Sequence, residues 1–224
     1  MKRSSAYYPV FLNISGKKCI VIGGGQVALR KTMALLERDA AVQVISPVVC
    51  SELNKLAEKR IITVSRRDYH PGDARGAFVI IAATDNHALN QQVVAEARAA
   101  NVLVNVVDNA ELSDFIVPSC LSRGDITIAI STSGRSPALA RKIRSRLEAE
   151  FGKEYGTLAV LLSEVRAEVK RQGIVLNGDD WQEALDLDSL LDLLQKDKRD
   201  EAKTLILNQL KAIHKQKGGY INAT

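Results

Sequence analysis

Three short stretches of this chain carry residue types that could do chemistry. The first is Gly23-Gly24-Gly25-Gln26-Val27-Ala28, a G-x-G-x-x-A turn that follows the apolar run Cys19 to Ile22. In such a turn Gly23 makes the tight bend, Gly25 lets the backbone approach a pyrophosphate, and Ala28 lets the following helix pack closely on its strand. Backbone N–H groups at the helix start then face an anion. The second stretch, Asn105-Val106-Val107-Asp108, ends in a carboxylate, which can serve as a general base or simply shape a turn, since Asp-Asn is good turn chemistry. The third runs from Ser131 to Arg146, where Thr132, Ser133 and Ser136 offer hydroxyls and Arg135, Arg141, Lys142, Arg144 and Arg146 gather without an acidic residue among them. Arginines can grip carboxylates in bidentate fashion, or can line an ordinary solvated helix face.

A glycine turn alone also marks plain strand-to-helix connections, so its neighbours matter. Ala28, Thr32, Leu35 and Leu36 recur at helical spacing, which predicts a helix from about Gln26 to Arg38 after a strand from about Lys18 to Gly23. Further strands are predicted at Val42–Ser46, Ile61–Ser65, Phe78–Ala82 and Val102–Val107, with helices at Ser51–Arg60 and Asn86–Ala100, the latter capped by Asp85 or Asn86. Alternation of this kind makes a doubly wound parallel sheet of Rossmann type. Ligands on such sheets sit beyond the carboxyl ends of the strands, here Gly23, Ser46-Pro47-Val48, Ala83-Thr84-Asp85 and Asn105 to Asp108. No Asp or Glu stands at the end of the second strand to hold an adenine ribose, so hydroxyl and backbone groups must do so, and the residues leave NAD and NADP both open. Arg30 and Lys31 read as a solvated helix flank.

From Phe115 the pattern changes. Phe115–Leu121 and Ile126–Ser131 read as a hairpin across Ser122-Arg123-Gly124-Asp125, with Ile126, Ile128 and Ile130 on one buried face. Ser136 and Pro137 then open a helix. The chain is helical from Tyr155, with a segment from Trp181 to Leu194, loops at Gly173–Asp180 and Lys196–Asp200, and a frayed end from Gly218. The expected organisation is a nucleotide-binding domain over 1–114, a small α+β hairpin-helix dimerisation region over 115–152 and a helical domain over 153–224.

With 224 residues, 46% hydrophobic and 25% charged, the chain has the composition of a soluble globular protein. Its longest apolar runs are far short of a membrane span, and Met1-Lys2-Arg3 leads into Tyr7-Tyr8-Pro9 rather than a signal sequence, so a cytoplasmic protein is expected. Cys19, Cys50 and Cys120 have no C-x-x-C spacing, and His70, His87 and His214 no ligand spacing, so no disulfide framework or resident metal is indicated. The net charge of +5 suits a polyanionic ligand. The cationic stretch lacks interleaved aromatics, which argues against nucleic acid.

Taken in order, Gly23 to Lys31, Ala83-Thr84-Asp85, Asn105 to Asp108 and Ser131 to Pro137 with Leu139-Ala140 resemble the precorrin-2 dehydrogenase family of siroheme biosynthesis, some of whose members are also sirohydrochlorin ferrochelatases. The resemblance covers roughly residues 8 to 150. It implies NAD as cofactor, held by Gly23, Gly24, Gly25, Gln26, Val27, Ser46, Pro47, Val48, Thr84 and Asp85. It implies Asp108 as the base, and precorrin-2, with its acetate and propionate arms, as a substrate held by Asn105, Thr132, Ser133, Arg135, Ser136 and Arg141. It further implies an intertwined homodimer and, for the bifunctional members, Fe²⁺ as a second substrate. The family usually has Gly-Gly where this chain has Ser133-Gly134, an acid at Asn109, and glycine at Asp39. A longer family form carries a fused methyltransferase domain, for which 224 residues leave no room. The rival of another class is a dinucleotide-sensing module without chemistry.

Overall fold

The computed structural model describes residues 7–221 of the chain, so the reading of Met1-Lys2-Arg3 lies outside it. Two compact units divide at Val117 and Pro118.

The first unit runs β1 (Lys18–Ile22), α1 (Gln26–Leu36), β2 (Ala41–Ile45), α2 (Ser51–Glu58), β3 (Thr63–Ser65), β4 (Val79–Ala82), α3 (His87–Ala99) and β5 (Leu103–Val106). The strands pair in parallel in the order β3-β2-β1-β4-β5. The expected Rossmann-type sheet is therefore present, with its reversal of strand order between β1 and β4. Alternation of side chains splits the core cleanly. Ile20, Ile22, Ile80, Ala82, Val104 and Val106 point to one face, where α3 covers them with Val93, Val94 and Ala97. Cys19, Val21, Val42, Val44, Val79 and Ile81 point to the other, beneath Ala28 and Leu35 of α1 and Leu53 of α2. Both faces are dry, which is why these strands read as continuous apolar runs. Each fully buried Ile or Leu here is worth about 1.5–3 kcal/mol.

Between β3 and β4 the crossover is held by a carboxylate from α3. Glu96 accepts hydrogen bonds from the Tyr69 hydroxyl at 2.6 Å and from the Gly72 N–H at 2.6 Å. Arg67 donates twice to Asp73, at 2.7 Å each. These bonds replace regular structure in a segment that Pro71 and Gly72 keep out of helix and strand.

The second unit contains β6 (Ser119–Arg123), β7 (Ile126–Ile130), α4 (Pro137–Glu150), α5 (Glu154–Arg171), α6 (Gly178–Glu183), α7 (Leu187–Gln195) and α8 (Arg199–Ile221). Its antiparallel hairpin is tighter and later than the sequence pattern predicts. Ser122 and Arg123 pair with Thr127 and Ile126, leaving a two-residue turn in which Gly124 adopts a φ of +56°. Nor is the isoleucine face dry: Ile126, Ile128 and Ile130 are only half-buried. The expected helix from Trp181 to Leu194 is two helices, because Asp186 accepts from the Ser189 N–H and caps α7 afresh. The end expected to fray from Gly218 continues as helix to Ile221, and 222–224 lie outside the described residues.

The hairpin, the helix after it and the later helices fall within the second compact unit. A Cβ on Gly156 at the start of α5 would lie 2.7 Å from the Arg123 carbonyl oxygen, and Arg123 Nε donates to the Phe151 carbonyl at 2.7 Å. Among the described residues no helix is long and apolar enough to cross a membrane.

Candidate active site

The site is built where β1 and β4 end. Gly23 has a φ of +117°, and a Cβ there would sit 2.3 Å from the Ala83 carbonyl oxygen at the end of β4. At Gly24 a Cβ would come within 1.9 Å of the Val48 carbonyl oxygen, and the Cys50 N–H donates to the Gly24 carbonyl at 2.8 Å. These two glycines thus let the turn nest between the ends of β4 and β2. Gly25 differs: nothing lies within 4 Å of a Cβ built on it, and its φ of −85° suits any residue. Its surroundings are open on the side a ligand would approach.

Gly25 is also the N-cap of α1, and no side chain caps that helix or places an acid in its first turn. The first N–H groups of a helix have no partner within it, so those of Gln26 and Val27 face outward beside Gly25. By contrast, α3 is closed by Asn86, whose side chain accepts from the Leu89 N–H at 3.0 Å. An uncapped helix start beside an open glycine fits a diphosphate, and therefore fits a dinucleotide.

Around this turn, Pro47 and Val48 are exposed, Val48 to 78%. Ser46 is buried and donates its hydroxyl to the Val48 carbonyl at 2.7 Å, so it braces the loop. Asp85 is exposed at the end of β4, whereas Thr84 is tied down: its hydroxyl donates to Asn90 Oδ1 at 3.0 Å, and Asn90 Nδ2 returns a bond to the Thr84 carbonyl at 3.0 Å. Buried Asn90 stands on the apolar face of α3, where no motif singles it out. Glu52 is likewise outside every sequence motif, because it opens α2 rather than ending β2. Its carboxyl is held below the ordinary range by its own backbone N–H first, then by the Ser51 hydroxyl, with smaller help from Cys50 and Gln26.

Asp108 lies two residues past β5, exposed, with a φ of +59° that few residues other than glycine, Asn and Asp adopt. No hydrogen bond or ion pair engages its carboxylate among the described residues. Asn105 is buried and donates through Nδ2 to the Phe115 carbonyl at 2.9 Å, so it fixes the returning chain beside β5. Lys31 proves not to be a freely solvated flank. It is half-buried, and burial pushes its ammonium below the ordinary lysine range, Arg30 adds to that, and Asp108 opposes it.

In the second unit, Ser136 caps α4 by accepting from the Leu139 N–H at 3.1 Å. Thr132 Oγ1 accepts from the Ser136 N–H at 3.0 Å, and Ser133 has a φ of +53°. Arg135, Arg141 and Lys142 are exposed and unpaired among the described residues, while Arg144 and Arg146 pair with Glu148 and Glu150. A cleft of about 540 Å³ also lies between the start of α5 and the end of α7, where Gln195 Nε2 donates to Glu154 at 3.1 Å, but chemistry favours the turn.

Residues 10–119 match a family model described as "Putative NAD(P)-binding", and residues 123–150 match one described as sirohaem biosynthesis protein central. The siroheme synthase of Nitrosomonas europaea is 44% identical over 169 residues, covering 75% of this chain and 36% of that protein. The siroheme synthase of a Psychrobacter species is 35% identical over 211 residues, covering 93% of this chain and 43% of that protein. A solved structure of SirC, a precorrin-2 dehydrogenase, superposes with a TM-score of 0.68 at 26% identity, covering 92% of this chain and all of that one. The chain is thus similar to siroheme synthases over most of its own length, and to a precorrin-2 dehydrogenase over the whole of that protein. It spans well under half the length of these siroheme synthases.

Proposed function

We propose that this chain is an NAD-dependent dehydrogenase that oxidises precorrin-2 to sirohydrochlorin. The observation that carries the reading is the pairing, within one unit, of an open, uncapped helix start at Gly25 with an unengaged carboxylate, Asp108, at the end of β5. The oxidation removes a hydride and a proton from the substrate. Bound NAD⁺ supplies the hydride acceptor. Gln26 and Val27 would hold its diphosphate through their backbone N–H groups, Gly25 would admit it, and Pro47, Val48 and Asp85 would border its nucleosides. Asp108 would accept the proton, a role that suits an exposed carboxylate with no competing partner. Substrate carboxylate arms suit Arg135 and Arg141, with Thr132, Ser133 and Ser136 shaping the loop before them.

The reading extends to a homodimer in the cytoplasm. Half-buried Ile126, Ile128 and Ile130, with exposed Leu139 and Ile143, leave an apolar surface on β7 and α4 that a second copy would cover. The free thiols of Cys19 and Cys50 suit a reducing compartment. Sedimentation at micromolar concentration tests the dimer, and a monomer would refute it. An anaerobic mixture of the chain, precorrin-2 and NAD⁺ tests the activity; NAD⁺ binding without turnover would favour a sensing module. Ferrous ion added afterwards shows whether the chain also inserts iron into sirohydrochlorin.

A further inference from the structure

On sheets of this type the adenosine half of a dinucleotide runs from the glycine turn across the carboxyl end of the second strand, where an acid commonly accepts from the ribose 2′-hydroxyl. Here β2 ends at Ile45, and the loop Ser46 to Cys50 carries no charge. That loop lies against the turn. The Cys50 N–H donates to the Gly24 carbonyl at 2.8 Å, and a Cβ on Gly24 would meet Val48, Val49 and Ser46 atoms within 2.9 Å. Cys50 is also the N-cap of α2, so the start of that helix abuts the glycine turn. Glu52 stands exposed in its first turn, and its Oε2 accepts from the Ser51 hydroxyl at 2.9 Å, which turns the carboxylate toward the helix start. It stays ionised, because its own backbone N–H and then Ser51 hold its carboxyl below the ordinary range; among the smaller contacts is the side chain of Gln26, the first residue of α1. The next acid along, Glu58, is at the far end of α2, and the guanidinium of Arg66, just past β3, donates to Asn54 Oδ1 at 2.6 Å.

We propose that Glu52 is the specificity-determining residue for the cofactor: its carboxylate accepts from the ribose 2′-hydroxyl of NAD⁺ and repels the 2′-phosphate of NADP⁺. The proposal rests on a dinucleotide binding at Gly25. The acid that β2 lacks at its end is supplied one element later, and the bond between Cys50 and Gly24 is what brings it back to the turn. A carboxylate takes a hydroxyl proton in a charge-assisted hydrogen bond, roughly twice as strong as a neutral one. Against it, a 2′-phosphate sets about 1.5 to 2 further negative charges. Because Glu52 is exposed, water and salt screen this repulsion, so the expected preference for NAD⁺ is on the order of 10- to 100-fold.

Calorimetry with NAD⁺ and NADP⁺ on the intact chain, without substrate, tests the assignment. Glu52→Gln, nearly isosteric, should tighten NADP⁺ about tenfold and weaken NAD⁺ a few-fold, since the amide accepts less strongly and carries no charge. Glu52→Lys should reverse the preference. Thermal melts of the ligand-free variants, at an exposed position, should match the native protein. Equal affinity of the native chain for the two cofactors would overturn the proposal. So would an equal change for both in Glu52→Gln, because a charge acting only on the shared diphosphate moves both alike. The oxidation fails separately: NAD⁺-selective binding that Glu52→Gln erodes, with no turnover of precorrin-2, would refute the activity and uphold the role of Glu52, whereas binding of neither dinucleotide would refute both.

Discussion

Replacing Gly25 by Asp separates what the glycine turn does for the fold from what it does for a ligand. At this position φ is −85° and ψ −170°, extended backbone that Asp adopts freely, and a Cβ meets nothing within 4 Å. Asp is moreover a preferred N-cap, better than glycine by a few tenths of a kcal/mol, and its charge complements the helix dipole by about 0.3–1 kcal/mol. The ligand-free variant should therefore melt at or slightly above the native temperature. Binding should fare very differently. The new carboxylate takes up the N–H groups meant for the diphosphate and sets a negative charge beside it. Two unit charges about 4 Å apart interact by about 4 kcal/mol at an effective dielectric of about 20, and salt trims this to about 3 kcal/mol, or on the order of 100-fold in affinity. Calorimetry with NAD⁺, paired with thermal melts, measures both sides. Gly24→Ala is the converse control: its Cβ would lie 1.9 Å from the Val48 carbonyl oxygen, so it should cost about 1–3 kcal/mol of stability by overpacking. Native-like NAD⁺ affinity in a folded Gly25→Asp protein would refute the reasoning.

Asp108→Asn, nearly isosteric, should bind NAD⁺ as the native chain does and lose about 10²- to 10⁴-fold in dehydrogenase kcat, read as NADH formation at saturating NAD⁺. Glu96→Ala should cost about 2–3 kcal/mol in urea unfolding, because it strands the buried Tyr69 hydroxyl and the Gly72 N–H, and Tyr69→Phe should recover part of that in the double variant. Asp73 has its carboxyl held below the ordinary range, chiefly by the Arg67 guanidinium. A depressed folded-state pKa stabilises above the unfolded value and loses that contribution as pH falls through the folded one. The stability gap between native protein and Asp73→Asn should thus be full at pH 6 and close below about pH 4, as urea midpoints across pH will show.

The parallel sheet was legible because its strands are buried on both faces: runs such as Val79 to Ala82 can hardly be anything else between a polar crossover and a capped helix. The glycine turn was legible in its pattern, yet the assignment of parts to its residues was coarser than the structure. Gly24, the unspecified middle position, turns out as crowded as Gly23, since the Val48 and Cys50 backbone that meets it comes from a loop more than twenty residues away. Tertiary neighbours also hid Asn90, which sits on the apolar stripe of α3 and gains its role only through its hydrogen bonds with Thr84. The hairpin slipped because Phe115 to Val117 are apolar enough to suggest a strand, while pairing starts only after Pro118, at Ser119. Asp186 reads as one more acid in a helical run until its side chain is seen to accept from Ser189.

The most direct test of the account is a single anaerobic experiment on the purified chain with precorrin-2 and NAD⁺, following NADH and the absorption spectrum of the tetrapyrrole together, with Asp108→Asn run beside it. The native chain should form NADH and sirohydrochlorin one for one and the variant almost neither, although both bind NAD⁺. NAD⁺ binding by the native chain with no NADH formed, or full turnover by Asp108→Asn, would contradict it.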